Sequence, residues 1–372
     1  MARPGFDDVV LLTGLPSLLA RRVAQALLES PRRTLLHVLV SPRSERETVA
    51  YVEGLPRSQR ERIVLHGGEA HGMDLGLGGR EYLELAGELD GVHHCPSPTL
   101  GATERSSLER LHLGSAREMV ELGRAAKLRS LVHYSTALVS GSRTGLVLES
   151  ELDVEQRFRD VATEVRARAE RRMRAAAAEL PVCVVRPTLL VGDAETGEVD
   201  REDAPYLLFL LIVASPPDLA VPLPGDCDHP LHLVPVDYVA RAAVHLSHDP
   251  RARGRTFHLV DPEPLTARQI FERIAAAAGH RPPKGGIPTP LAKMLLKAPG
   301  IDRLVKAPSY LLDALVTPVR YDTTHTRELL AGTGIECPPF GSYVHRLVAH
   351  VQGRLRERRS RRPEALAPES RQ

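Results

Sequence analysis

Lysine is almost missing from this 372-residue chain: of 49 lysines and arginines, only Lys127, Lys284, Lys293, Lys297 and Lys306 are lysine. With the abundance of alanine, leucine and proline, that bias reads as GC-rich coding rather than as function. Net charge is also scarce, at +2, which gives no reason to expect a nucleic-acid or membrane partner. Long apolar runs are missing. The longest, Tyr206 to Ala214, falls far short of the ~20 residues of a membrane span; it reads as a buried helix that could also wall an apolar pocket. No leader pattern opens the chain, because Asp7 and Asp8 directly precede the first apolar run. The cysteines are Cys95, Cys183, Cys227 and Cys337, none in CxxC spacing, as expected of reduced, mostly buried thiols in a cytoplasmic protein. Cys227-Asp228-His229 is the one hint of a metal ligand set. Adjacent residues do not easily converge on one ion, so no metal is expected. There is no internal repeat.

What is present is alternation. Short, continuously apolar runs occur at Val9–Gly14, Leu35–Ser41, Arg62–Gly67, Gly91–Cys95, Ser130–Thr136, Val182–Pro187 and Thr256–Pro262. Such runs are how parallel strands buried on both faces look. Helical patterns lie between most of them, the first with Leu18, Leu19, Val23, Ala26 and Leu27 on one face. The expected fold is therefore α/β, a doubly wound parallel sheet made of right-handed βαβ units. Prolines gather after Gly192, and again at 282–290 and 338–339, which points to a second, smaller domain discontinuous in sequence. The expected division is a sheet domain at 1–192 and 231–265 and a smaller domain at 193–230 and 266–352. A basic tail at 353–372 is expected to be disordered. Asp237 is the expected cap of the helix in VPVDYVARAAVHL.

Several segments carry a resemblance in series: LHGGEAHGMDLGL (65–77), LDGVHHC (89–95), YSTALVSG (134–141), VRPTLLVGDAETGEVDRED (185–203), LVPVDYVARA (233–242) and TFHLVDPEPLTARQIFERIA (256–275). From about Val9 to about Val351 the chain resembles an extended short-chain dehydrogenase/reductase. It is most similar to the thioester-reductase and fatty-acyl-reductase ("male sterility") branch. The resemblance implies a Rossmann sheet, NAD(P) binding, and reduction of an acyl thioester or related carbonyl by NADPH. It also implies homodimerisation through two helices, which the arginine-rich helix faces neither support nor exclude.

Against the family's Thr-Gly-x-x-Gly-x-x-Gly turn, this chain has Thr13 and Gly14, then Ser17 and Ala20 at the second and third glycine positions. Ala20 is tolerable, since that position only sets helix–strand packing. Ser17 places a Cβ where the pyrophosphate approaches, and Pro16 removes an N–H. The helix start and the Ser17 hydroxyl still suit an anion. The turn is thus either a phosphate site or a tight connection that binds nothing. No acid ends the second strand to take ribose hydroxyls. Arg43, with Arg33 as a second candidate, suits a 2′-phosphate and favours NADP over NAD. Glu69 stands where the family's acid contacts the adenine.

In the family a Tyr-x-x-x-Lys helix protonates the developing alkoxide and holds the nicotinamide ribose, and a Ser or Thr orients the carbonyl. Ala169-Glu170 fixes the register here, so Ala162 falls on the Tyr position and Arg166 on the Lys position. Thr136, with Ser135 beside it, keeps the third role. Ala162 donates nothing and fits a packing stripe with Phe158, Val165, Ala169 and Met173. Arg166 could still bond a ribose. Tyr134, Tyr206, His112 and His133 are substitute proton donors by chain position only. His112 falls near the family's Asn, although a partly exposed helix histidine is the commoner case, and Tyr134 reads as a core tyrosine with a satisfied hydroxyl. Two readings follow: a ligand- or nucleotide-binding protein with impaired catalysis, and an active NADP-dependent reductase using a different proton donor. A nucleotide-sugar epimerase shares the fold, but it too needs the Tyr.

Overall fold

All seven apolar runs become strands of one parallel sheet in the computed structural model, which describes residues 5–96, 104–199, 204–224, 227–287 and 317–360. The strands are β1 (Asp8–Thr13), β2 (Thr34–Val40), β3 (Ile63–Gly67), β4 (Gly91–His94), β5 (Ser130–Tyr134), β6 (Val182–Pro187) and β7 (Thr256–Leu259). Their order is β7-β6-β5-β4-β1-β2-β3, with every neighbouring pair parallel. Every residue of β1, β2 and β6 is buried, which is why these runs show no polar alternation.

Both sheet faces are covered. Leu12, Val38, Val132 and Val185 pack on one side with Leu27 of α1 (Leu18–Glu29) and with Val239 and Ala243 of α7 (Val236–His248). Their strand neighbours Leu11, Leu131 and Val184 point to the other side. There they meet Leu85 of α3 (Gly79–Glu88), Met119 and Leu122 of α4 (Ser115–Ala125), and Met173 of α5 (Val161–Ala176). Each such fully buried large side chain contributes about 1.5–3 kcal/mol. The order reverses between β1 and β4. In α/β sheets ligands bind at the strands' carboxyl ends beside such a topological switch point. On the edge, α2 (Glu45–Glu53) follows β2.

The chain divides into two compact units. One is Met1–Leu190, His232–Pro264 and Thr317–Pro338; the other is Val191–Leu231, Leu265–Val316 and Pro339–Gln372. The second unit contains α6 (Ala204–Val213), α8 (Ala267–Ala278) and α10 (Phe340–Ser360), which pack on one another.

Three expectations are corrected. Residues 317–338 belong to the sheet unit, not to the smaller one. A short strand there, Val319–Tyr321, runs parallel to Gly145–Val147. The following helix α9 (Thr324–Leu330) is tied down by the buried Glu149 carboxylate, which accepts from Thr326 N and Oγ1. Asp237 is not a cap: α7 starts after Pro235, with no side-chain cap bond, and Asp237 instead faces Arg241 at 3.4 Å, one turn on. The basic tail does not fray at 353, because buried Val344, Leu347, Val348 and Val351 anchor α10 and the helix continues to Ser360. The remainder, 361–372, lies outside the described residues, as do 288–290 of the second proline-rich loop and 200–203 of the 185–203 segment. Among the described residues no helix is long and apolar enough to cross a membrane.

Candidate functional site

The β1–α1 turn sits at the switch point. Gly14 has φ +99°, and a Cβ there would run into the Cys95 carbonyl oxygen. The fold itself therefore requires this glycine. Ser17 is the N-cap of α1: its hydroxyl accepts from Ala20 N at 3.4 Å, and its own N–H is taken by Gly14 O. Ala20 is fully buried against the sheet, as a packing position should be. Thr13 looks inward. Its hydroxyl accepts from Cys95 N and lies 2.9 Å from Nδ1 of His94, its ladder neighbour on β4.

One arginine contacts this turn directly. The Arg21 Nε–H donates to Pro16 O at 3.0 Å. On the other side the Ser44 hydroxyl, next to exposed Arg43, donates to Leu15 O at 3.5 Å. Arg33 takes no part; it lies at the amino end of β2, its guanidinium over the Phe6 ring, and that correction follows from strand direction alone. Arg21 was not singled out from the sequence. The signal for it is a basic residue one position past the packing alanine, masked by the general arginine excess. Glu69 sits just past β3, accepting from the Ser41 hydroxyl at 2.8 Å. The ends of β2 and β3 are thereby linked.

The second cluster lies at the end of β5 and on α5. Asp160 caps α5 through Thr163. Ala162 and Arg166 lie one turn apart, both half-buried. The proposed stripe holds only further down the helix: Val165, Ala169 and Met173 are buried, while Ala162 in the first turn remains partly exposed. Both retained hydroxyls have partners. Ser135 donates to Glu170 Oε2 at 2.6 Å. Thr136 donates to Pro187 O and accepts from Leu138 N, both at 3.3 Å. Glu170 also receives the fully buried Arg186 guanidinium, with Nη2 at 2.5 Å from Oε1. This buried ion pair locks α5 to β5 and β6. Thr188, buried just past β6, has no partner for its hydroxyl among the described residues; sequence reasoning passed over it.

Among the substitute donors, Tyr134 is a core tyrosine on the α1 side of the sheet, its hydroxyl 2.9 Å from His93 Nδ1. Burial pushes its pKa well up. Tyr206 is buried in α6 of the second unit. His133 is buried with its pKa pulled down to about 4, by desolvation first, against the raising pull of Glu170 and with help from Arg166. His112 is not a partly exposed helix residue: it is 1% exposed and sits in a π-helical turn, Arg110–Gly114, that runs directly into α4. Its Nε2 accepts from Arg166 Nε at 3.4 Å. Burial, Arg166 and the neighbouring histidines hold its pKa well below the ordinary imidazole value. The described residues contain no group of His, Cys, Asp or Glu able to hold a metal.

The donor chemistry at this edge fits a dinucleotide. The amino end of the 12-residue α1 attracts anions, and Arg21 lies against the turn that precedes it.

The family described as male sterility protein, an NAD-binding family, matches residues 12–243. The chain belongs to this family, within the extended short-chain dehydrogenases/reductases. It is 25% identical over 196 residues to a linear gramicidin synthase chain of Brevibacillus parabrevis, a match covering 50% of this chain and 4% of that protein. It is 25% identical over 221 residues to glycine betaine reductase ATRR of Emericella nidulans, covering 57% and 17%. The match thus spans only a small part of each curated relative. Among solved structures, it resembles the terminal R domain of the myxalamid PKS-NRPS pathway, with TM-score 0.79, 23% identity and coverage of 95% and 92%. It also resembles the reductase domain of a nonribosomal peptide synthetase from Mycobacterium tuberculosis, with TM-score 0.68, 18% identity and coverage of 95% and 93%. These likenesses show the fold.

Proposed function

We propose that this chain is a nicotinamide-dinucleotide-binding protein of the thioester-reductase type, favouring NADP over NAD, whose proton-donating chemistry is impaired. One observation carries the reading: position 162 holds alanine one turn before Arg166, while the nearby Ser135 and Thr136 hydroxyls are engaged by Glu170 and Pro187 O. When bound, a reduced cofactor would supply hydride; residue 162, the family's proton-donating position, is alanine and has no proton to give the resulting alkoxide. Loss of positioned acid catalysis costs about 10²–10⁴-fold in rate. The NADP preference is supported by Arg21 at the turn and by exposed Arg43 two residues past Ser41, while the Glu69 carboxylate, which accepts from the Ser41 hydroxyl, weighs against it. Titration calorimetry with NADPH, NADP, NADH and NAD tests the reading. The phosphorylated pair is expected to bind in the micromolar range and the other pair more weakly. No binding at millimolar cofactor sinks it.

Arg166 favours a second reading, an active reductase confined to acyl thioesters. Hydride addition to a thioester carbonyl leaves an alkoxide that a fixed cation stabilises without proton transfer. Its collapse expels a thiolate, a leaving group with a conjugate-acid pKa of ~8.5 that needs no acid from the protein. Reduction of the aldehyde product would leave an alkoxide that does need one.

A further inference from the structure

A cavity of about 210 Å³ lies at the amino ends of β1, β4, β5 and β6, beside the last turn of α7. The dinucleotide turn follows the carboxyl end of β1, so the two sit at opposite ends of that strand. Buried Val10, Cys183 and Leu246 give the cavity an apolar wall.

His93 also lines it and is 1% exposed. Val10 pairs with Gly91 and Leu12 with His93, so Gly91 and His93 share the α7 side of the sheet with Val10. The His93 Nδ1 lies 2.9 Å from the Tyr134 hydroxyl, which has no other partner among the described residues. The hydroxyl donates there, so Nδ1 accepts and the proton of the neutral ring sits on Nε2. Desolvation first, with help from His248, keeps the ring neutral. Nε2–H meets no acceptor among the described residues. A buried donor needs one, and the cavity is the space from which it can come.

The charges around the cavity are matched but for one. Asp8 is engaged by Arg32, by Arg129 Nη2 at 2.6 Å and by His248 Nε2 at 3.5 Å. Asp90 accepts from Val9 N at 2.9 Å and lies 3.2 Å from Arg129, and Asp249 takes Arg251. Of the lining guanidiniums and carboxylates, only exposed Arg253 forms no ion pair among the described residues. The Ser130 hydroxyl likewise has no partner there. Gly91 keeps the space beside it clear: a Cβ would stand 3.2 Å from Ser130 Oγ and 3.8 Å from Val10 Cγ2.

An imidazole N–H, a hydroxyl and a guanidinium without protein partners, set around an apolar wall, suit one anionic group on a compact apolar body. We infer that this cavity is a binding site for a small aliphatic or aromatic monocarboxylate, whose oxygens accept from His93 Nε2–H, the Ser130 hydroxyl and Arg253. The site is independent of the dinucleotide reading.

The test uses the full chain with benzoate as the probe and benzamide as its neutral counterpart, followed by calorimetry with and without NADPH. Benzoate should bind saturably in the millimolar range, and benzamide about tenfold more weakly. Arg253→Gln should weaken benzoate binding about tenfold, the scale of one charge-assisted contact. Gly91→Ala should weaken it by at least as much, by filling the space. In nitrogen NMR the His93 Nε2–H signal, identified by its loss in His93→Leu, should move with benzoate. NADPH should not displace the probe. No saturable binding at tens of millimolar would overturn the inference, leaving a cavity for water alone. Equal affinity for benzamide, displacement by NADPH, or an affinity unchanged in either variant would overturn it too. If Gly91→Ala fails to fold, Arg253→Gln, altered only at an exposed side chain, still decides. If the protein binds no NADPH, the proposed function falls while the benzoate measurements stand.

Discussion

Ser135 donates a 2.6 Å hydrogen bond to Glu170, the residue that also neutralises buried Arg186. A hydroxyl that the family pattern would turn toward a substrate carbonyl is here joined to a structural ion pair. Glu170→Ala would leave the Arg186 charge buried and unpaired. It should destabilise the protein by about 3–5 kcal/mol, read by urea unfolding. A loss below about 1 kcal/mol, the scale of an exposed pair, would show that the pair does not hold α5 in place.

Ser17→Gly should tighten NADPH binding several-fold by removing the Cβ from the pyrophosphate's path. Because glycine is a fair N-cap, the stability cost should be only a few tenths of a kcal/mol. Calorimetry paired with thermal unfolding reads both, and unchanged affinity would mean that the serine side chain does not obstruct the turn.

Ala162→Tyr with Arg166→Lys should create or raise aldehyde reduction by about 10²–10⁴-fold, followed as NADPH oxidation. No gain in a variant that still binds NADPH would place the catalytic deficit elsewhere. Offered a short acyl thioester, the unmodified protein should stop at the aldehyde, trapped as a hydrazone. Alcohol as the main product would reveal a proton donor other than residue 162.

Stability should fall steeply in mild acid. His93 and His258 are pulled down to about 3, and His133 to about 4, in each case first by desolvation. Their folded pKa values lie below the unfolded value of about 6.5, so as pH drops the unfolded chain takes up protons first. The stability they confer is complete above about pH 6.5 and is lost from there down to about pH 4 for His133 and about pH 3 for His93 and His258, at up to about 1.4 kcal/mol per pH unit for each histidine. Glu149 and Asp261, both raised by burial, titrate with the opposite sign and offset part of this. Denaturant melts at stepped pH check it; a flat profile between about pH 6.5 and 4.5 would contradict the neutral buried histidines.

The sheet was legible because a strand buried on both faces must be apolar throughout, as Val9–Leu12 and Val182–Val185 are. The helix α5 was legible because Val165, Ala169 and Met173 recur at helical spacing, and all three are buried. The π turn was not legible: nothing in RLHLG forbids an ordinary α-helix, and the features that fix it, His94 and Ser115, include a contact from distant sequence. Nor can a sequence tell an engaged hydroxyl from an available one, so Ser135 and Thr136 looked alike until their partners, Glu170 and Pro187 O, were in place. The segment 317–338 was misplaced because its anchor, Glu149, is buried by residues far along the chain.

Gly14 faces the backbone carbonyl of Cys95, and no cofactor is needed to forbid a side chain there. A descendant of this protein that had stopped using nucleotides altogether would still retain that glycine, on pain of misfolding. Persistence of the first glycine in such turns is therefore a record of architecture. Residue 17, free to vary in size at the helix cap, is where a change of occupation would be written first.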